Sequence, residues 1–238
     1  RLAVGLGRTG GLGQKLVAGV LRQAVTQLAR RFIAGTTAEE AIAAALRARR
    51  AGQAFTIDLL GEACVSEEEA DAYQRRYLEL VRTLGEVART WRPDPRIDQA
   101  PWGPLPRVNI SVKLSALYPY LDPVDPRDSA RAVKGRLRPI LEAARAHGAH
   151  IQIDAEDRRL KDLTLRIFME LAEEDAWRTT RDLGVVQQAY LKEAESDARR
   201  LIDWARRRGT PVTVRLVKGA YWDYETAHAR LLGWPVPA

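Results

Sequence analysis

Residues 211–225 read PVTVRLVKGAYWDYE, and this stretch decides the fold. Its first half is apolar, rich in valine and bounded by Gly209 and Gly219, which predicts one strand. Arg215 stands inside this run, and a permanent charge in a buried strand needs an anion or a strong acceptor. Lys218 and Gly219 follow at the carboxyl end, where parallel strands approach ligands. The stretch therefore predicts a strand whose end meets a ligand, with a core carboxylate as the alternative partner of Arg215.

Outward from this strand, the chain alternates strands with amphipathic helices. Four further strand-length runs precede it, at residues 54–60, 107–113, 149–154 and 184–190. Helical spacing runs from the Ser66–Glu69 capping box to about residue 91, and over about 128–147, 158–178 and 196–208. This alternation predicts an α/β fold with a parallel sheet, and no GxGxxG turn follows the first strand. We therefore expect a (β/α)8 TIM-like barrel, truncated here after about five strands.

The 238 residues and their net charge of +7 bound the class of protein. Two helical segments precede the first strand, so we expect an N-terminal helical arm over residues 1–52 and a partial barrel over 53–238. The only cysteine, Cys64, excludes an internal disulfide. No apolar run approaches the roughly 18 residues of a membrane span. The positive charge is spread over arginine-rich helices without a lysine tract, so we expect no nucleic-acid partner.

In β/α barrels the active site lies at the carboxyl ends of the strands. Five consecutive strand ends of this chain carry polar or charged groups, which a purely structural barrel would not need. These groups are Asp58 and Glu62; Lys113 and Ser115; Asp154 and Glu156; Gln187 and Gln188; and Arg215, Lys218 and Tyr221. Singly, each has a structural explanation, such as capping of the following helix by Asp58 or Asp154. Together they predict a ring that suits an anionic, planar, hydrogen-bonding ligand. No HxxxH or CxxC spacing exists, so we expect no metal site.

Five motifs, in one order, resemble the strand ends of flavin-dependent proline dehydrogenases of the proline utilization A type. They are FTIDLLGEA (55–63), NISVKLSALYP (109–119), IDAED (153–157), VVQQAYLK (185–192) and VRLVKGAYWDYE (214–225). The family fold is a (β/α)8 barrel that holds FAD and is preceded by a helical arm. The resemblance implies oxidation of L-proline to Δ1-pyrroline-5-carboxylate by hydride transfer to the flavin. The electrons would then pass to a membrane quinone.

The resemblance also implies roles for individual residues. Arg215 matches an arginine beside the flavin N5/O4 edge, where negative charge develops as hydride arrives. Lys113 matches a lysine by the substrate carboxylate, Asp154 an aspartate near that lysine and the flavin, and Tyr221 an aromatic wall against the proline ring. Glu62 matches the acidic half of a substrate gate. Cofactor contacts are matched at Asp154, Gln188, Arg215, Val217, Gly219, Ala220 and Trp222.

Other family features fall outside these residues. The arginine that pairs with the gate and the paired arginines that grip the substrate carboxylate come later in the family's chain. We therefore expect this piece to be inactive by itself. The resemblance further implies a cytoplasmic protein that is peripheral at the inner face of the membrane. An aldehyde dehydrogenase domain on the same full-length chain and a homo-oligomer are the other partners that it implies.

Two alternative functions stay open. A Schiff-base lyase or aldolase barrel could use Lys113 or Lys218, which requires an amine that burial poises near neutrality. That hypothesis leaves Arg215 and the pair of glutamines unexplained. The other alternative is a basic scaffold or nucleic-acid module, which the scattered charge disfavours.

Overall fold

The computed structural model describes residues 11–29, 33–61 and 63–238. The chain divides between Ala51 and Gly52 into two compact units. In the first unit lie two helices, α1 (Gly11–Ala29) and α2 (Ala38–Arg50). The side chain of Thr37 accepts a hydrogen bond from the Glu40 amide, which caps α2 as the spacing predicts. Among the helices of the described ranges, none has the length and apolar character needed to cross a bilayer.

The second unit contains a five-stranded parallel sheet and a small antiparallel hairpin. Its strands are β1 (Ile57–Asp58), β2 (Gln99–Ala100), β3 (Gly103–Pro104), β4 (Val108–Val112), β5 (Ala149–Ile153), β6 (Leu183–Gln188) and β7 (Thr213–Val217). Strands β2 and β3 form the hairpin, which the sequence did not indicate. The other five form the sheet in the order β1-β4-β5-β6-β7. Each strand therefore pairs with the next strand of the sheet along the chain, which is the connectivity of a β/α barrel wall.

Helices lie in the connections between these parallel strands, and one more follows the last strand. They are α3 (Glu67–Ala88), α4 (Pro95–Asp98), α5 (Pro126–His147), α6 (Arg158–Glu173), α7 (Ala194–Arg208) and α8 (Trp222–Leu232). The side chains of Ser66, Asp125 and Asp157 cap α3, α5 and α6. Gly148 and Gly209 end α5 and α7 with φ of 65° and 74°, a backbone conformation that favours glycine. This alternation confirms the predicted α/β class, and an incomplete TIM-like barrel agrees with it.

The core lies between the sheet and the helices that cover its outer face. Every residue of β5 and β6 is buried, and Tyr77, Leu137 and Phe168 are fully buried side chains of α3, α5 and α6. Because side chains alternate along a strand, the opposite face of the sheet carries a second set of residues. On that face, Ser111 and Gln152 lie side by side in register. Further residues of the same face follow at the carboxyl ends of the strands.

Two strands differ from the sequence prediction. Strand β1 pairs over Ile57–Asp58 only, not over 54–60. Strand β7 was expected to be buried, and that was wrong: Val214 is 41% and Leu216 is 66% exposed. The reason is that β7 pairs only with β6 and forms an edge of the sheet in the described part of the chain. Arg215 therefore enters the sheet at an edge, where part of its side chain reaches solvent.

Candidate active site

Four side chains from three strand ends meet on the polar face of the sheet. Ser111 lies on β4 and Lys113, whose backbone is still extended, directly follows that strand, so the two side chains point to the same side. Asp154 directly follows β5, and its amide donates to the carbonyl of Val112. Arg215 lies on β7, opposite Val186 of β6. Parallel register therefore brings residues that are about 100 positions apart in sequence together at the carboxyl ends of the strands.

Asp154 is the centre of this cluster. Its side chain is almost fully buried. Its Oδ1 accepts from the Ser111 hydroxyl at 2.6 Å and from Nη2 of Arg215. The same Arg215 nitrogen lies 3.1 Å from the Ser111 oxygen, which closes a triangle of hydrogen bonds. Arg215 is thus paired with a carboxylate of this chain, and it is held at the strand end by two contacts.

Lys113 lies between two carboxylates. Its Nζ is 2.5 Å from Oδ2 of Asp58 and 3.4 Å from Oδ2 of Asp154. Partial burial alone would lower the pKa of Lys113, but the hydrogen bond and charge of Asp58, together with Asp154, raise that pKa above its ordinary value. The ammonium therefore stays charged in the site.

A second pair links the loops that follow β4 and β5. Glu156 accepts from the Ser115 amide at 3.1 Å and from the Ser115 hydroxyl. Burial raises the pKa of Glu156, although the two hydrogen bonds from Ser115 oppose that rise. The pair joins two consecutive strand ends beside Lys113, and both residues belong to the polar ring that the sequence predicts.

The two glutamines at the end of β6 point to opposite faces. Gln187 donates to the carbonyl of Ala194 at the start of α7, so it serves the helix layer. Gln188 donates from Nε2 to the carbonyl of Glu156 at 3.0 Å. Its Oε1 is buried and has no hydrogen-bond partner among the described residues. Of the two, only Gln188 offers a free polar atom on the site face.

The segment after β7 brings backbone and aromatic groups to the same edge. The carbonyls of Val217 and Lys218 accept from the amides of Ala189 and Tyr190, which extends pairing beyond the strands. Gly219 has φ of 111°, and a Cβ there would lie 2.1 Å from the Tyr190 ring.

After Gly219 the chain passes through Ala220 to Tyr221 and Trp222. Tyr221 precedes α8, and burial and then the charge of Glu156 raise its pKa. Trp222 is the first residue of α8 and is half exposed. The predicted cofactor contacts Gly219, Ala220 and Trp222 thus lie within four consecutive residues, and Gly219 lies against the Tyr190 ring.

Asp58 is a member of the predicted ring for which the resemblance implies no individual role, and the structure pairs its carboxylate with Lys113. Asp58 ends β1 in register with Ser111, two residues before Lys113. Its Oδ1 is also buried without a hydrogen-bond partner in the described ranges. Glu62, predicted as a gate, lies outside the described residues. Within those residues, no group of three or more His, Cys, Asp or Glu side chains could hold a metal ion.

Known proteins are similar to this chain over most of its length. The family model described as "Proline dehydrogenase" matches residues 41–238. The chain is 30% identical over 227 residues to "Bifunctional protein PutA" of Escherichia coli (strain K12), covering 94% of the chain and 16% of that relative. It is 31% identical over 193 residues to "Proline dehydrogenase 1" of Bacillus subtilis (strain 168), covering 81% of the chain and 52% of that relative.

One solved structure is similar to this chain in both fold and sequence. It is that of proline utilization A (PutA) from Bdellovibrio bacteriovorus inactivated by N-propargylglycine, with a TM-score of 0.90 and 42% identity. The match covers 94% of this chain and 23% of that one. The chain therefore spans less than a quarter of the PutA proteins that it resembles here. The order of its strands, the polar cluster at their carboxyl ends and these matches place the chain in the proline dehydrogenase family.

Proposed function

We propose that the full-length protein oxidises L-proline to Δ1-pyrroline-5-carboxylate. Proline gives up a hydride from the ring carbon next to nitrogen and a proton from the nitrogen, which leaves a C=N bond. The observation that carries this proposal is the cluster in which Asp154 holds Arg215 and contacts Lys113 at the strand ends. Lys113 and Arg215 are two fixed cations beside the carboxylate of Asp154. Such cations suit a substrate that carries a carboxylate of its own and that gives up negative charge when it loses a hydride.

The polar atoms of the site fit FAD as the acceptor. Gln188 Oε1 and Arg215 Nε are buried, and neither has a hydrogen-bond partner in the described part of the chain. One is an acceptor and the other a donor, and the pyrimidine edge of a flavin presents both kinds of group. Residues that would hold the cofactor are Asp154, Gln188, Arg215, Val217, Gly219, Ala220 and Trp222. When bound, FAD supplies the two-electron acceptor for the hydride.

The residues of this chain then bind and orient the substrate. Lys113 keeps its proton because of Asp58 and Asp154, so it presents a cation to the proline carboxylate. Asp154 fixes Arg215 through a charge-assisted hydrogen bond, and this fixed position avoids reorganisation as charge develops. Tyr221 forms an aromatic wall against the proline ring, and Glu62 forms the acidic half of the gate.

The wider setting of this activity is also a proposal. The relatives named bifunctional support a second catalytic domain on the full-length chain, which we assign to aldehyde dehydrogenase chemistry. A quinone at the inner face of the membrane takes the electrons from a cytoplasmic, peripheral protein. A homo-oligomer is consistent with this arrangement.

The Schiff-base alternative is disfavoured at Lys113. A lysine nucleophile needs its amine neutral near physiological pH. Asp58 and Asp154 raise the pKa of Lys113, which is the opposite direction. Lys218 directly follows β7, and its backbone carbonyl accepts a hydrogen bond from the Tyr190 amide. The borohydride experiment below tests whether its side chain is a nucleophile.

Anaerobic mixing of the purified full-length protein with L-proline tests the proposal. We expect flavin absorbance that bleaches on mixing with L-proline and recovers when a quinone is added. A protein without flavin absorbance, or one whose flavin stays oxidised with proline, would refute it. Borohydride trapping of a substrate adduct on Lys113 or Lys218 would instead establish the lyase alternative.

A further inference from the structure

Tyr77 lies on α3, in the layer that covers the outer face of the sheet. It is one of the largest fully buried side chains of the protein. Its hydroxyl oxygen accepts a hydrogen bond from the backbone N–H of Lys113 at 3.3 Å. Burial, together with the charges of Asp58, Asp154 and Glu156, raises the pKa of Tyr77, so the phenol stays neutral. A helix behind the sheet thus contacts the main chain of a residue of the candidate site.

The contact lies directly after β4, at a point that β1 does not reach. Strand β1 ends at Asp58, whose register partner is Ser111, so Lys113 lies beyond the last residue that β1 pairs. Lys113 is extended, with φ of −91° and ψ of 128°, and the 3₁₀ turn Leu114–Ala116 begins immediately after it. The Lys113 amide is partly buried, and an unpaired donor there would cost more free energy than the hydrogen bond contributes. Tyr77 supplies the acceptor that the short β1 does not.

We propose that Tyr77 is a positioning residue for Lys113, which rests on the proposed function of that lysine in proline binding. By holding the Lys113 amide where the strand gives way to the turn, Tyr77 fixes the Cα from which the lysine side chain reaches Asp58 and Asp154. The ammonium is held at its tip by those carboxylates, and the backbone is held at its base by Tyr77. Both anchors are needed to keep a four-carbon side chain in one place.

Tyr77→Phe in the full-length holoenzyme tests the inference, because it removes one oxygen and keeps the ring. We expect the KM for proline to rise by about fivefold to tenfold, the equivalent of one hydrogen bond, with a smaller change in kcat. Tyr118→Phe is the matched control. Its hydroxyl bonds Asp128 at 2.6 Å without contacting Lys113, so KM should stay unchanged.

A double-mutant cycle separates positioning from general destabilisation. In a Lys113→Ala background, Tyr77→Phe should leave KM unchanged, because the positioned side chain is gone. An equal rise in both backgrounds would show that the hydroxyl acts independently of Lys113 and would overturn the inference. A raised KM in Lys113→Ala with an unchanged KM in Tyr77→Phe would overturn it too, while the proposed function stands. If Lys113→Ala itself leaves KM unchanged, the proposed role of Lys113 fails.

Amide hydrogen exchange gives a readout that does not depend on activity. The Lys113 amide should exchange slowly in the unmodified protein, although it lies past the end of β1. In Tyr77→Phe it should exchange markedly faster, while the amides of β5 and β6 keep their protection. Unchanged exchange at Lys113 would show that the hydroxyl does not hold this amide.

Discussion

The ammonium of Lys113 lies 2.5 Å from Oδ2 of Asp58, the last residue of the neighbouring strand. Asp154 lies on its other side, at 3.4 Å. The lysine is therefore oriented by this chain alone, and its charge is fixed by two carboxylates. Such preorganisation means that the site does not have to order a flexible cation when a ligand arrives.

Lys113→Ala in the full-length protein should raise the KM for proline by about tenfold or more, because truncating a half-buried charged contact costs about 2 kcal/mol. Steady-state kinetics with proline measures this. Lys134→Ala is a matched control, since Lys134 pairs with Glu170 at 2.9 Å in the helix layer. A KM that is unchanged in Lys113→Ala would remove this residue from substrate binding.

Asp58→Asn should shift the pH dependence of kcat/KM. Asp58 raises the pKa of Lys113 through a hydrogen bond and its charge, so removing that charge lowers this pKa. The lysine contact is present below the pKa of Lys113 and is lost as pH rises through it. The alkaline limb of the profile should therefore move to lower pH. Asp128→Asn, which alters a surface carboxylate paired with Arg131, should leave the limb in place.

Arg215→Met should slow the reduction of the flavin by proline far more than it destabilises the fold, because a fixed cation is lost where charge develops. Stopped-flow absorbance and thermal unfolding measure the two effects. Arg208→Met should do the reverse. Arg208 donates to the carbonyls of Ala172, Trp177, Thr180 and Thr210, so its loss weakens the helix layer. Flavin reduction at an unchanged rate in Arg215→Met would reduce Arg215 to a structural ion-pair partner of Asp154.

Gly219→Ala should lower both the stability of the protein and its retention of FAD. A φ of 111° costs a residue with a side chain about 1–3 kcal/mol, and the new Cβ would meet the Tyr190 ring. Gly135→Ala should instead stabilise the protein by about 0.5–1 kcal/mol, because Gly135 lies in α5 with open space around it. Chemical denaturation and the flavin-to-protein absorbance ratio report both effects. Equal stability in the two variants would contradict the close packing at Gly219.

The sequence predicted the parts of the structure that depend on local pattern. The strand at residues 149–154 and the capping box at Ser66 were predicted from periodicity and spacing, and the structure has both. The extent of β1 could not be predicted in this way. The run AFTIDLL has strand composition throughout, but its pairing stops at Asp58. Strand pairing is decided by the neighbouring strand and not by composition.

In the candidate site, too, local pattern predicted individual residues but not the contacts between them. Lys113, Asp154 and Arg215 were each predicted from their places at strand ends, and the structure brings them together. Their mutual contacts depend on register, which no single segment encodes. For that reason the pairing of Asp58 with Lys113 could not be predicted from either segment. Gln187 was grouped with Gln188, although alternation along β6 sends the two amides to opposite faces.

The cluster at the strand ends has a consequence for how a ligand arrives. Lys113 and Arg215 carry two positive charges, and Asp58 and Asp154 carry two negative ones, so the net charge of these four groups is zero. These four groups therefore contribute nothing to the +7 charge of the whole chain. A zwitterionic amino acid also has no net charge, so neither partner attracts the other over a distance longer than the Debye length. Capture of such a ligand depends on short-range contact after random encounter, and ionic strength should have little influence on its association rate.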